Sequence, residues 1–233
     1  MTQQEFVKVI KDNFEDIDSN FFNQIEKYKV FLQKYNLNIN LTRLDHEDKI
    51  YGEYFYESVI PFTKVDLKKA VSILDIGSGS GIPGIVLKLL YPSLQLTIIE
   101  ANGKKVKFLV ELTRHLGINA NIINKRAEEI EEHEYETFDL VTSRAVATLN
   151  AIIEVSLPYV KVNGLLLEPK SQNYLNEMKD TDILIKNLGG TLDKIHNFIS
   201  FNKFTHNVIV IRKTQKTNHR YPRAWAEIIK ESK

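Results

Sequence analysis

The decapeptide Asp75-Ile76-Gly77-Ser78-Gly79-Ser80-Gly81-Ile82-Pro83-Gly84 carries the densest chemical signal in the chain. It follows an apolar run and precedes a helical one that Pro83 can start at its first position. Glycine lets the backbone turn sharply and approach a ligand with nothing in the way. A strand that ends in such a turn is where doubly wound folds bind nucleotides. Tight turns also need glycine for structure alone, so the turn by itself leaves a binding and a structural role open.

Two acids narrow the choice. Glu100 closes the next apolar run, where a carboxylate can accept both ribose hydroxyls of an adenosine. Asp75 stands at the entrance of the turn. A dinucleotide fold sets pyrophosphate against the glycines and the helix N-terminus; a carboxylate there repels pyrophosphate but suits a sulfonium or an ammonium. Together they favour S-adenosylmethionine over NAD, with Asp75, Gly79 and Glu100 as expected donor contacts. No Gly-Lys-Ser/Thr follows the glycines, which excludes a P-loop.

Further along, Arg126-Ala127-Glu128-Glu129 follows the third apolar run, a position that in such folds lies beside the adenine; a solvated acidic loop fits it equally well. Ser143-Arg144-Ala145-Val146 ends the fourth run at the carboxyl edge, where the reactive centre is expected. Enzymes that methylate exocyclic base amines carry an acid or Asn, two prolines and an aromatic there, so this segment argues against adenine-N6 and cytosine-N4 chemistry. The chain has no cysteine, which excludes disulfides, thiolate metal sites and cytosine-C5 chemistry through a covalent thiolate adduct. The histidines are scattered without ligand spacing, and no metal is expected.

These residues need a scaffold to bring them together. Short β-branched or aliphatic runs at 71–76, 94–100, 120–124, 138–143 and 165–168 alternate with helical stretches at 84–90, 103–116 and 149–160. That alternation predicts βαβ units on a parallel sheet with helices on both faces. After a helix near 174–187 and the break at Gly189-Gly190, strands at 191–199 and 207–212 follow without a helix between them and are expected to be antiparallel. The fold class is therefore α/β, a Rossmann-like, mostly parallel seven-stranded sheet. Ahead of it, Phe6, Val7, Ile10 and Phe14 space a first helix, Asp18 can cap a second striped by Phe21, Ile25, Tyr28, Leu32 and Tyr35, and 48–60 reads as a third. Residues 1–63 are expected to form a helical extension packed on a main domain at 64–233.

The formal net charge is +1, from 31 Lys plus Arg against 30 Asp plus Glu, which by itself argues neither for nor against nucleic acid. Base concentrates where Lys203, Arg212, Lys213, Lys216, Arg220 and Arg223 meet almost no acid along the sequence. The N-terminus lacks a signal peptide's basic and apolar regions, and no apolar run is long enough to span a bilayer. A cytoplasmic protein without membrane contact is expected.

The motifs, taken in order, resemble the bacterial small-subunit ribosomal RNA methyltransferase G family, also called glucose-inhibited division protein B. They are Asn40-Leu41-Thr42, the glycine decapeptide with its Gly81-Ile82-Pro83-Gly84 ending, and Gly103-Lys104-Lys105-Val106-Lys107-Phe108-Leu109. Arg126-Ala127-Glu128-Glu129, Thr142-Ser143-Arg144-Ala145 and Arg220-Tyr221-Pro222-Arg223 complete the set. The resemblance implies a class I methyltransferase fold and methyl transfer from S-adenosylmethionine to N7 of a guanine in 16S rRNA, at position 527 of that RNA. It implies donor contacts at Gly77, Ile82, Ala127, Glu128 and Arg144. The chain departs from the family pattern at Glu53-Tyr54, at Glu168-Pro169-Lys170-Ser171 and after Arg223, where Ala224-Trp225-Ala226-Glu227 replaces a Gly- and Pro-containing basic tail.

Guanine N7 presents a lone pair and no proton, so its methylation needs placement and no general base; no catalytic acid or base is expected. Arg144 would brace the donor's carboxylate or the pocket wall. Lys170, Arg220 and Arg223 would hold phosphates, and Tyr54 or Tyr221 would offer an unstacked base a surface. The expected partner is 16S rRNA or a small-subunit particle, met by a monomer. The competing readings are a methyltransferase of proteins or small molecules, and a non-catalytic assembly factor on the same fold.

Overall fold

The computed structural model describes residues 1–36, 46–144, 146–171, 174–178 and 181–231. Asn40-Leu41-Thr42 and Ala145 lie outside them. Seven strands, β1 (Ser72–Ile76), β2 (Gln95–Ile99), β3 (Ala120–Ile123), β4 (Phe138–Ser143), β5 (Val160–Lys170), β6 (Gly190–Ile199) and β7 (Thr205–Lys213), form one sheet in the order β3-β2-β1-β4-β5-β7-β6. The first five are parallel, and β7 runs antiparallel to both β5 and β6. The short turn between β6 and β7 can only join antiparallel neighbours, whereas parallel ones need a crossover. Strand order reverses direction between β1 and β4, so a crevice opens at their carboxyl ends.

Alternation along each strand sends neighbouring side chains to opposite faces. Ile73, Val208 and Val210 enter one core, and Leu74, Ile209 and Ile211 the other. The first core is covered by α1 (Gln3–Asn13), α2 (Phe21–Asn36), a helical run over 47–62, α5 (Gly84–Leu90) and α6 (Gly103–Leu116). Within that run α3 (Glu47–Lys49) leads into a π-helical segment, Ile50–Tyr56, and on to α4 (Glu57–Val59). Thr2 and Glu5 close a capping box at the start of α1. The stripe of α2 is buried at Phe21, Ile25, Tyr28 and Leu32. The second core is covered by α7 (Leu149–Ser156), α8 (Tyr174–Glu177), α9 (Thr181–Asn187) and α10 (Trp225–Glu231).

Three elements depart from expectation. The helix after β4 stops at Ser156, because Pro158 forces a 3-10 turn over Leu157–Tyr159. Strand β5 then begins at Val160, five residues early; its first half carries Lys161 and Asn163 toward solvent and lacks an apolar signature. The helix expected near 174–187 is two pieces, and α10 was not foreseen. Among the described residues no helix is long and apolar enough to cross a membrane.

Candidate functional site

The glycine turn after β1 is held at several points. Asp75 is fully buried; its Oδ2 accepts hydrogen bonds from Ser78 Oγ at 2.5 Å and from the Gly84 N–H at 2.8 Å. It fastens both ends of the turn from below and does not line the adjoining cleft. Burial pushes its carboxyl up to about 6. On another side, Tyr28 and Tyr54 both donate to the Ser80 carbonyl, at 2.5 and 2.7 Å. The Gly79 N–H donates to Glu100 Oε2 at 2.9 Å, while Glu100 Oε1 accepts from the Asn102 N–H at 2.8 Å. A carboxylate has about four acceptor positions, so Glu100 keeps capacity for a ligand's hydroxyls.

Gly79 itself sits at φ +62, and a Cβ there would meet only Lys105 Nζ at 3.8 Å and Gly77 O at 3.9 Å. The turn thus exposes bare backbone to open space. Next to it lies a cleft of about 350 Å3 lined by Gly77, Glu100, Ala127, Glu128, Val146 and Trp225, among others; Gly79 adjoins this lining through Gly77 and Lys105 and is not itself part of it. Folding therefore brings together expected residues from the ends of β1, β2 and β3. It adds Trp225, which sequence reasoning missed; its only signal was a lone tryptophan in a departing tail. Arg126 pairs with Glu128 and sets its guanidinium carbon 5.3 Å from the Trp225 ring centre. Ile82 lies apart from the cleft lining, half-buried against the first core.

A second pocket of about 350 Å3 adjoins the cleft, sharing Val146, at the carboxyl ends of β4 and β5. Ser143, Arg144, Glu168, Lys170 and His206 line it. Arg144 turns toward the π-helical segment: Nη2 donates to the Glu53 carbonyl at 2.7 Å and Glu57 Oε2 at 3.1 Å, and Nη1 to Ser58 Oγ at 3.1 Å. Its charge is committed there, which fits a pocket wall better than a free anion contact. Glu168 is buried, with Oε2 accepting from Ser143 Oγ at 2.7 Å and Oε1 without a partner among the described residues. Burial pushes this carboxyl up to about 8, against the pull of Ser143 and Lys170.

The expected phosphate contacts need correction. Lys170 Nζ donates to the Ala147 carbonyl at 2.9 Å and to Glu177 Oε2 at 3.0 Å, and its side chain is mostly buried. Arg223 grips buried Glu154 through Nε at 2.9 Å and Nη2 at 2.7 Å, and Glu231 through Nη1 at 2.6 Å. Both cations neutralise acids that folding brings to them, Glu177 seven residues from Lys170 and Glu154 69 residues from Arg223. The same holds for Arg212, paired with Asp193. Lys213 is fully buried, donates to the Leu157 carbonyl at 3.0 Å and is drawn down by burial to about 8. Arg220 remains exposed, with its guanidinium carbon 4.9 Å from the Tyr221 ring centre. Tyr54 and Tyr221 are both buried, so neither offers a base a free stacking face. Among the described residues no group of three or more His, Cys, Asp or Glu is placed to hold a metal ion.

A sheet of this order, with a glycine turn after β1 and an acid closing β2, is the class I methyltransferase arrangement. The Bacillus cereus O-methyltransferase structure in complex with SAH shares the fold at a TM-score of 0.60 and 15% identity, over 88% of this chain and 96% of that one. The chain belongs to the rRNA small subunit methyltransferase G family, whose model matches residues 22–204. It is 43% identical to the ribosomal RNA small subunit methyltransferase G of Ureaplasma parvum, over 99% of both chains. It is 40% identical to that of Malacoplasma penetrans, over the whole of both.

Proposed function

We propose that this chain transfers a methyl group from S-adenosylmethionine to N7 of a guanine in 16S rRNA, at the position 527 that the family resemblance implies. The observation that carries the reading is the pair of pockets meeting at Val146, at the carboxyl ends of β1 and β4. One fits a donor and the other an acceptor. When bound, S-adenosylmethionine supplies an electrophilic methyl group on a sulfonium. Gly79 gives it room against bare backbone, the free acceptor positions of Glu100 take its ribose hydroxyls, and Ala127 and Glu128 flank its adenine. Asp75 and Ile82 support the turn from outside the cleft.

The acceptor side asks for little chemistry. N7 attacks with its own in-plane lone pair, so no side chain has to remove a proton. The task left to Ser143, Arg144 and Glu168 is to align the base with the methyl group. With Lys170 and Arg223 engaged inside the fold, exposed Arg220 is the expected cation that remains for phosphate. The natural substrate, 16S rRNA or a small-subunit particle, places this activity in the cytoplasm. The test follows radiolabel from the donor into deproteinised rRNA and into small-subunit particles. N7 methylation creates a fixed cation, so borohydride and then aniline should cut the labelled RNA at one position. Labelled RNA that resists cleavage overturns the N7 assignment; label in neither RNA nor particles overturns the rRNA reading.

A further inference from the structure

Trp225 is the single tryptophan of the chain, and it stands beyond residues 22–204, the region that the family model matches. It opens α10, and that helix is pinned. Arg223 just ahead of it ties buried Glu154 of α7 to Glu231 at the far end of α10. Ile228 is 1% exposed in the second core. The indole is thereby set in the wall of the donor cleft beside Ala127 and Glu128, with Arg126 over its ring. It is only half-buried, so part of its surface remains accessible beside the cleft.

We propose that Trp225 is the stacking wall for the adenine of the methyl donor, which makes the C-terminal helix part of the donor site. The inference rests on the donor reading above. Glycines and a carboxylate supply close approach and hydrogen bonds at the β1 and β2 ends of the cleft. They supply no broad apolar plane, and the indole does. A purine lying between Ala127 and the indole gains base–aromatic stacking, with geometry that any aromatic ring partly reproduces. The stacking residue is also spectroscopically unique, because no second tryptophan contributes emission.

The test titrates wild type, Trp225→Phe and Trp225→Ala with S-adenosylhomocysteine, adenosine and methionine, by calorimetry and by indole emission. Expected for wild type is an emission change with S-adenosylhomocysteine and adenosine that saturates where the heat does, and none with methionine. Trp225→Ala should bind the two nucleosides roughly tenfold more weakly, and Trp225→Phe should recover most of that loss. Wild type that binds S-adenosylhomocysteine calorimetrically with unchanged emission, or folded Trp225→Ala that binds it with full affinity, overturns the inference and leaves the donor reading standing. Wild type that binds no S-adenosylhomocysteine at all overturns the donor reading and the inference with it. The wild-type emission arm decides the matter even where Trp225→Ala does not fold.

Discussion

At Glu168 a carboxyl is sunk into the end of β5 and holds its proton to about pH 8, whereas the same group in an unfolded chain releases it near 4.5. Between those values the folded state binds more protons than the unfolded one, so stability falls as pH rises through the window. Asp75 acts in the same sense over a lower range, up to about 6. Lys170 and Ser143 face Glu168 and oppose the shift, Asp75 reinforces it, and Arg144, Glu57 and His206 share its pocket. Glu168→Gln keeps the shape and removes the titration. Its melting temperature relative to wild type should therefore rise from pH 5.5 to pH 8.5; a difference constant with pH would mean that Glu168 titrates as a solvated acid. At this scale the glycine turn after β1 and the acid closing β2 were legible as structure, because turn geometry and a strand-ending acid are local facts. Asp75 was read as a ligand contact, and its placement under the turn depends on where α5 returns the Gly84 N–H, which no local pattern encodes.

The elements around the turn supply its rigidity. Tyr28 of α2 and Tyr54 of the π-helical segment belong to different elements, yet their hydroxyls, 3.1 Å apart, meet on one carbonyl of Ser80.

 In sequence the two tyrosines stand 26 residues apart, and Ser80 lies 52 residues beyond the first and 26 beyond the second. Both hydroxyls are buried, and burial raises both well above the ordinary tyrosine range, so they keep their protons and can donate at any working pH. Replacing both by Phe strands a buried acceptor, which should cost about 1–3 kcal/mol. Urea unfolding of Tyr28→Phe/Tyr54→Phe should show that loss, and calorimetry should show weaker S-adenosylhomocysteine binding because the turn is released. Unchanged donor affinity with reduced stability would confine the tyrosines to packing. The helices were legible from their stripes, as at Phe21, Ile25, Tyr28 and Leu32. The π-helical winding of Ile50–Tyr56 was not, because its carbonyls are completed by Arg144, some 90 residues away. Strand β5 was legible only in its apolar second half, and α10 fell in a tail read for charge alone.

Across the whole molecule, the N-terminal helices and one face of the sheet share a single core. Phe6, Tyr28 and Phe55 belong to the same buried cluster as Ile85, Phe108 and Val208. We propose that residues 1–63 are an extension in sequence and a layer of the same cooperative unit in energetics. Calorimetry should then show one unfolding transition, and a chain lacking residues 1–36 should fail to fold, since it leaves that face of α5 and α6 uncovered. A separate early transition for the N-terminal helices would contradict this. The seven-stranded α/β plan was legible because strand and helix periods alternate along the chain. The fate of the basic segment was not, because Arg212, Lys213 and Arg223 meet their partners only through tertiary contacts.

The place of β7 between β5 and β6 has a consequence in time. Its residues 205–213 complete the sheet for both neighbours, and Val208 and Val210 close the core that Phe6 begins. Growing chains tend to fold from their N-termini as whole units become available, and pairings between distant segments form slowly. The first helices pack on one another early, Phe6 against Phe21, Tyr51 and Phe55, but the core cluster they share with the sheet includes a strand that emerges some two hundred residues later. The core shared by helices and sheet is therefore complete only once synthesis has passed β7, and this chain is expected to finish folding late in its own translation.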